Sequence, residues 1–172
     1  MTDQASIWRL TADKWTEVAD QITDDDWSRP TTCDEFTVRD LVDHAMHWQA
    51  LGGGMIGAGT APGDPWSEVR PSLASALDDP ANLEGTVDAF GGMSRQQILG
   101  LLITDLLVHS WDLARSLDVD ETLPPAAVEA ALAGLRRMPE EALRSGSFGP
   151  AVDVPETASL QDQLIAFTGR RP

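Results

Sequence analysis

The sequence predicts an all-α fold, a helical bundle with a long crossover connection. Three observations carry that expectation. Apolar residues recur at helical spacing in several separate stretches. Capping signals open two of them. Glycine- and proline-rich segments, rather than alternating strand patterns, fill the gaps between. The 172 residues fit a single domain, taken as 1–172, and can bury a substantial core without staples.

A first amphipathic helix is expected from about Ser6 to Ile22, because Trp8, Ala12, Trp15, Ala19 and Ile22 recur at i, i+4, i+7, i+11 and i+14. Its tryptophans read as core. Asp24-Asp25-Asp26 and Pro30 end it in a loop. Thr37 and Asp40 form a capping-box variant that opens a second helix, with Val38, Leu41, Val42 and Ala45 as its buried stripe. On this helix His44 falls at the border of the stripe, where a side chain reaches a groove between helices. His47 falls nearly opposite and reads as a surface histidine. Gly52-Gly53-Gly54, Gly57, Gly59, Pro62, Gly63 and Pro65 read as a flexible connection. No Gly-Lys-Ser/Thr follows and no strand precedes, which excludes a phosphate loop. Trp66 to Leu77 is expected as a third helix with Pro71 kinking it, and Leu83 to Phe90 as strand or irregular chain.

Ser94 and Gln97 cap the longest helix, which runs through the most apolar stretch of the chain and leaves near Asp118. Asp105, His109 and Asp112 share one face of it with Ile98, Leu101 and Leu102, at about 100° per residue. A buried carboxylate must be protonated, paired or bound to a cation. Asp105 and His109, four residues apart, can point at one metal ion from adjacent turns. They can equally satisfy one another as an i, i+4 pair; a third ligand from another helix would favour the metal, and His44 is the better placed of the remaining histidines. Pro125 begins a further helix through Val128, Leu132, Leu135 and Met138. Phe148-Gly149-Pro150 reads as a turn, Val152 and Val154 as a short extended piece, and Ser159 to Phe167 as a terminal helical segment.

Composition narrows the function. Twelve basic residues against twenty-eight acidic ones give a net charge of −16, which repels phosphate backbones and anionic membranes, so neither nucleic acid nor membrane is an expected partner. Cys33 is the single cysteine; an internal disulfide and a thiolate-rich zinc site are excluded, and it reads as a small buried residue. Met1-Thr2-Asp3-Gln4 shows no basic region followed by an apolar run, and no apolar run suffices to span a bilayer, so the expected location is cytoplasmic. Trp48 and Trp111 read as packing and Arg170 and Arg171 as solvated. Asp112 reads either as an acceptor for an imidazole N–H of His109 or as a carboxylate on the helix surface.

The segment Thr32-Cys33-Asp34-Glu35-Phe36-Thr37-Val38-Arg39-Asp40-Leu41-Val42-Asp43-His44 resembles P-C-x-x-W-x-V-x-x-L-x-x-H of the DinB-like metal-binding superfamily, and most closely its branch around the mycothiol-dependent maleylpyruvate isomerase N-terminal domain. Asp105-x-x-x-His109-x-Trp111-Asp112-Leu113-Ala114 resembles that branch's E-x-x-x-H-x-W-D-L-A. The ending from Phe148-Gly149-Pro150 to Gly169-Arg170 is similar to its tail. The resemblance implies a four-helix bundle, here with extra C-terminal helical segments, and a divalent metal between helices, zinc or alternatively nickel. Carried over residue by residue, the ligands are His44, Asp105 and His109. Asp105 stands where the family more often has the longer Glu, and Thr32 and Phe36 replace Pro and Trp. The isomerase carries a further C-terminal domain, so its substrate chemistry is not transferred.

Two imidazoles and one carboxylate form a three-ligand set with an open position, as in catalytic zinc sites. Such a site can lower the pKa of a bound water to about 7 or hold a thiol as thiolate. The resemblance implies a low-molecular-weight thiol, mycothiol or bacillithiol, as cosubstrate of a transferase or isomerase acting on a small electrophile. A hydrolase with water as nucleophile, and a non-catalytic bundle that binds a metal or small ligand, are the other readings. No residue identifies the electrophile, and whether the protein is a monomer or a homodimer is left open.

Overall fold

The computed structural model describes residues 3–33, 35–144 and 148–172, so Asp34 of the motif ending at His44 lies outside the described residues. The chain is mostly helical, as the periodicities require. α1 spans Gln4–Ala19, α2 Val38–Met55, α3 Trp66–Ala76, α4 Arg95–Leu117, α5 Pro125–Leu135, α6 Glu140–Arg144 and α7 Leu160–Phe167. The stretch read as strand or irregular contains both kinds of structure: β1 (Thr86–Val87) pairs antiparallel with β2 (Met93–Ser94), and short 3-10 turns cover Pro80–Leu83 and Asp88–Phe90.

α4 is the centre of the molecule, packing on α1, α2 and α5, while α3 packs on α1 and α2. Its start follows from a reciprocal cap: the Gln97 amide donates to the Ser94 hydroxyl and the Ser94 amide to the Gln97 side chain. It ends where Asp118 turns left-handed (φ 58°) and the Val119 amide closes on the Ala114 carbonyl. Every residue from Leu106 to Ala114 is buried, so the expected single apolar stripe is corrected to a helix enclosed on all sides. The buried hydroxyls of Ser110 and Ser116 donate to the carbonyls four residues earlier, Leu106 and Asp112, and need no outside partner.

α2 opens at the expected cap, with Thr37 and Asp40 bonded reciprocally. It does not end before the glycine run. Gly52, Gly53 and Gly54 are helical, and a Cβ at Gly52 would stand 2.6 Å from Leu102 of α4. The glycines are there because neighbouring chain approaches too closely for side chains, which local composition mimics as flexibility. Other boundaries shift by a turn: α1 stops at Ala19 with Ile22 packed on the core beyond it, and α5 stops at Leu135 ahead of Met138. Pro71 is accommodated inside α3. Val152 and Val154 form no strand; the Val152 amide donates to the Ala166 carbonyl.

Trp8 and Trp15 of α1 are core residues, as expected. Trp8 also donates its indole N–H to the side chain of Gln49 (3.1 Å), and the Gln49 amide nitrogen donates to the Leu102 carbonyl (2.9 Å). This fully buried glutamine therefore ties α1, α2 and α4 together with its polar atoms satisfied. Gln49 lies past His44 on α2, and Leu102 lies before Asp105 on α4. The two helices thus run antiparallel, and His44 arrives opposite Asp105 and His109. Among the described residues, no helix is long and apolar enough to cross a membrane.

Candidate metal centre

The three residues singled out as ligands come together. His44 reaches across from α2 and places Nε2 3.7 Å from Asp105 Oδ1; His109 Nε2 lies 3.5 Å from the same oxygen. The two imidazoles meet edge to face with centroids 5.1 Å apart. One ligand-capable atom from each of the three residues lies within 4.8 Å of the other two. His47, by contrast, is exposed on the far side of α2, as its place on the wheel requires.

Asp105 carries the decisive detail. Its Oδ1 faces both histidines at distances longer than a good hydrogen bond, and its Oδ2 is buried with no hydrogen-bond partner. An uncompensated carboxylate oxygen is costly unless a cation faces it. Two imidazole nitrogens and this carboxylate are the donor set of a divalent metal of zinc type, with at least one position left over. His44, Asp105 and His109 fit such an ion.

The electrostatics point the same way. Burial pushes the Asp105 carboxyl up, but His109, and after it His44, outweigh burial and hold it at about 2. Burial likewise pulls the His109 imidazole down, and the Asp105 charge, helped by hydrogen bonding of the ring N–H groups to Asp105, Asp112 and Cys33, raises it well above its ordinary value. Both shifts run in the direction of a carboxylate and an imidazole that favour one another's charged forms.

Asp112 is fully buried rather than on the helix surface. Its Oδ2 accepts from His109 Nδ1 at 2.9 Å, which turns His109 Nε2 toward Asp105. Arg170 grips it from the C-terminal end of the chain, Nε to Oδ1 at 2.7 Å and Nη2 to Oδ2 at 2.8 Å. The Thr32 hydroxyl donates to Oδ1 and the Cys33 thiol to Oδ2 at 3.4 Å. Burial pushes the Asp112 carboxyl up, while His109 and Arg170 hold it well below the carboxylate range. Cys33, His109 and Asp112 also lie close enough to suggest a second metal set. Both Asp112 oxygens are already taken by the guanidinium, so that group anchors His109 instead of holding an ion.

Two expectations are corrected here. Arg170 is not solvated: its side chain is 13% exposed and ion-paired inside the fold, while Arg171 is exposed. Cys33 is half-buried and hydrogen-bonded beside the site rather than simply packed. Thr32 and Arg170 were missed as site residues because nothing local marks them; the matching tail Gly169-Arg170 was the available signal. Trp111 is core, with the Arg115 guanidinium over its ring. Trp48 is half-buried beside His44 and, with Phe36 against His44 and Phe90 against Trp48, walls one side of the centre in aromatic rings.

A helical protein with a two-histidine, one-carboxylate cluster across two antiparallel helices is the class that fold and site define. Residues 8–89 match the family model of the mycothiol maleylpyruvate isomerase N-terminal domain, which bears out the resemblance seen in the segment from Thr32 to His44. That stretch includes His44 and ends before α4. Two relatives from Mycobacterium tuberculosis are similar along most of the chain: uncharacterized protein MT0763 (strain CDC 1551 / Oshkosh) and uncharacterized protein Rv0738 (strain ATCC 25618 / H37Rv). Each is 29% identical over 168 residues, covering 82% of this chain and 83% of the relative. No solved structure gives a significant match.

Proposed function

We propose that this protein holds one divalent metal ion, zinc before nickel, on His44, Asp105 and His109, and that it is a thiol-dependent transferase or isomerase acting on a small electrophile. The observation that carries the reading is the Asp105 carboxylate, with one oxygen between two imidazoles and the other buried without a partner. Bound there, the metal would supply the positive charge that keeps a low-molecular-weight thiol, mycothiol or one like it, in its thiolate form at neutral pH. The family match supports the choice of thiol over water.

The chain's own groups have separable tasks in this reading. His44 and His109 contribute neutral nitrogens, and Asp105 contributes one negative charge. Asp112 holds His109 so that Nε2 faces the centre. Phe36, Trp48 and Phe90 form an apolar wall on the His44 side, against which an apolar electrophile can rest while water is kept from the thiolate. We assign the architecture as one DinB-like four-helix bundle domain over residues 1–172, since α1–α4, α4–α2, α2–α3 and α3–α1 pack in a closed ring, with α5 to α7 as C-terminal additions.

The test is metal analysis of the purified protein after zinc loading, beside His44→Ala and His109→Ala, followed by thiol titration of the cobalt-substituted form. One equivalent of zinc in the wild type, its loss in both variants and a sulfur-to-cobalt charge-transfer band on thiol addition are expected. Equal metal content in all three proteins would remove the ligand assignment. A loaded protein that turns over ester or amide substrates without thiol would instead make it a hydrolase.

A further inference from the structure

The chain ends by returning to the centre of α4. α7 closes in a turn where the Gly169 amide donates to the Ala166 carbonyl (3.0 Å) and the Arg170 amide to the Ile165 carbonyl (3.2 Å). Gly169 is left-handed (φ 88°), and a Cβ on it would stand 3.0 Å from Gly149 Cα and 3.1 Å from the Pro150 carbonyl oxygen. Any side chain here would be strained by the left-handed backbone and crowded by Gly149 and Pro150, and the turn delivers Arg170 inward. There the guanidinium forks onto both oxygens of Asp112, with further contacts to the Thr168 carbonyl (3.2 Å) and the Cys33 sulfur (3.5 Å).

A bidentate arginine fixes the plane of a carboxylate, whereas a single hydrogen bond leaves it free to rotate. Asp112 in turn accepts from His109 Nδ1 through Oδ2, the oxygen that Arg170 Nη2 also holds. The direction of His109 Nε2 therefore depends on where Oδ2 is held, by this fork together with the Thr32 hydroxyl on Oδ1 and the Cys33 thiol on Oδ2. We infer that Arg170 is a positioning residue for the metal centre, fixing Asp112 so that Asp112 fixes the His109 ring. This rests on the metal reading above and adds to it a residue from the last turn of the chain, 58 positions beyond Asp112. Arg115, which bonds the Arg171 carbonyl and Glu121, docks the same tail without touching Asp112 and serves as a comparison.

The experiment takes the full chain as wild type, Arg170→Gln, Arg170→Lys and Arg115→Gln, with two readouts. Zinc affinity is measured by chelator competition; the His109 Nδ1 proton is followed by NMR in the metal-free proteins. Arg170→Gln is expected to weaken zinc binding about 10–100-fold, the range for loss of groups that orient a ligand. Arg170→Lys, which keeps the charge and loses the fork, should fall in between. Arg115→Gln should stay within about twofold, since it leaves every contact to Asp112 in place. The Nδ1 proton should be sharp in the wild type and shifted or broadened in both Arg170 variants. Should Arg170→Gln fail to fold, Arg170→Lys carries both readouts. Zinc affinity unchanged in the folded Arg170 variants, or lost equally in Arg115→Gln, overturns the inference. If the wild type takes up no zinc, the metal reading fails, and the Nδ1 proton still decides: unchanged in Arg170→Lys, it overturns the positioning role.

Discussion

His44 Nε2 stands 3.7 Å from Asp105 Oδ1 across the interface of α2 and α4, two side chains more than sixty positions apart in sequence held on one line by helix packing. The span is too long for a strong hydrogen bond and is well suited to two ligands flanking a common ion. Asp105→Asn keeps the shape and removes the charge, so it should lower zinc affinity by more than about 100-fold, beyond what loss of a merely orienting contact costs. Asp105→Glu, one methylene longer, should retain the metal. Chelator competition on both variants checks this; retention of metal by Asp105→Asn would argue against a ligand role.

Because Asp105 raises His109 well above its ordinary value, metal and proton compete for the same imidazole. Zinc uptake near neutral pH should release about one proton, so affinity should rise roughly tenfold per pH unit until His109 deprotonates unaided. Calorimetry in buffers of different ionisation enthalpy measures that proton directly. Metal-free stability should move the other way. The raised His109 contributes stability that is full below about 6.5 and lost as pH rises through its folded value; the lowered Asp105 contributes stability present above 3.8 and lost as pH falls through about 2. The gap in urea midpoint between loaded and metal-free protein should therefore widen as pH rises above about 6.5. A gap that narrows would contradict the pairing.

Gln49→Ala strands two buried partners at once, the Trp8 indole N–H and the second bond to the Leu102 carbonyl, and opens a cavity between three helices. A loss of about 2–4 kcal/mol is expected in urea unfolding. Zinc affinity should fall as well, since this residue fixes α2 on α4 close to the His44–Asp105 contact. Full zinc affinity in a destabilised Gln49→Ala protein would show that the ligand geometry is set by other contacts.

How far the sequence reaches can be judged residue by residue. Helical periodicity made legible that His44 lies at the border of one apolar face and Asp105 and His109 within another, but only the family resemblance joined the three into one ligand set. Arg170 was not legible, because a lone arginine after a glycine carries no periodic signal and its partner lies on another helix. Cys33 and Thr32 sit in a turn before α2 whose contacts to Asp112 depend wholly on tertiary approach. The enclosure of α4 was also hidden, since the burial of the polar residues Ser110, Asp112 and Ser116 becomes intelligible only once their partners are seen.

Gly54 tests the same limit from the other direction. Glycine in a helix costs about 1 kcal/mol relative to alanine, so in a flexible connection or an open helix Gly54→Ala would be neutral or stabilising. Here the new methyl would be driven into the backbone carbonyl oxygen of Thr60, which cannot rotate aside as a side chain can. Thr60 is itself tied back to α2, its hydroxyl donating to the Ala50 carbonyl at 2.7 Å. The loop and helix must separate to admit the methyl, and a net destabilisation of about 1–3 kcal/mol is expected after the propensity gain. Gly59→Ala, where nothing lies within 4 Å but φ is 70°, should cost about 1 kcal/mol from backbone strain alone. Urea midpoints for the two variants distinguish the mechanisms: Gly54→Ala at or above wild-type stability would mean that this end of α2 is not packed against residue 60.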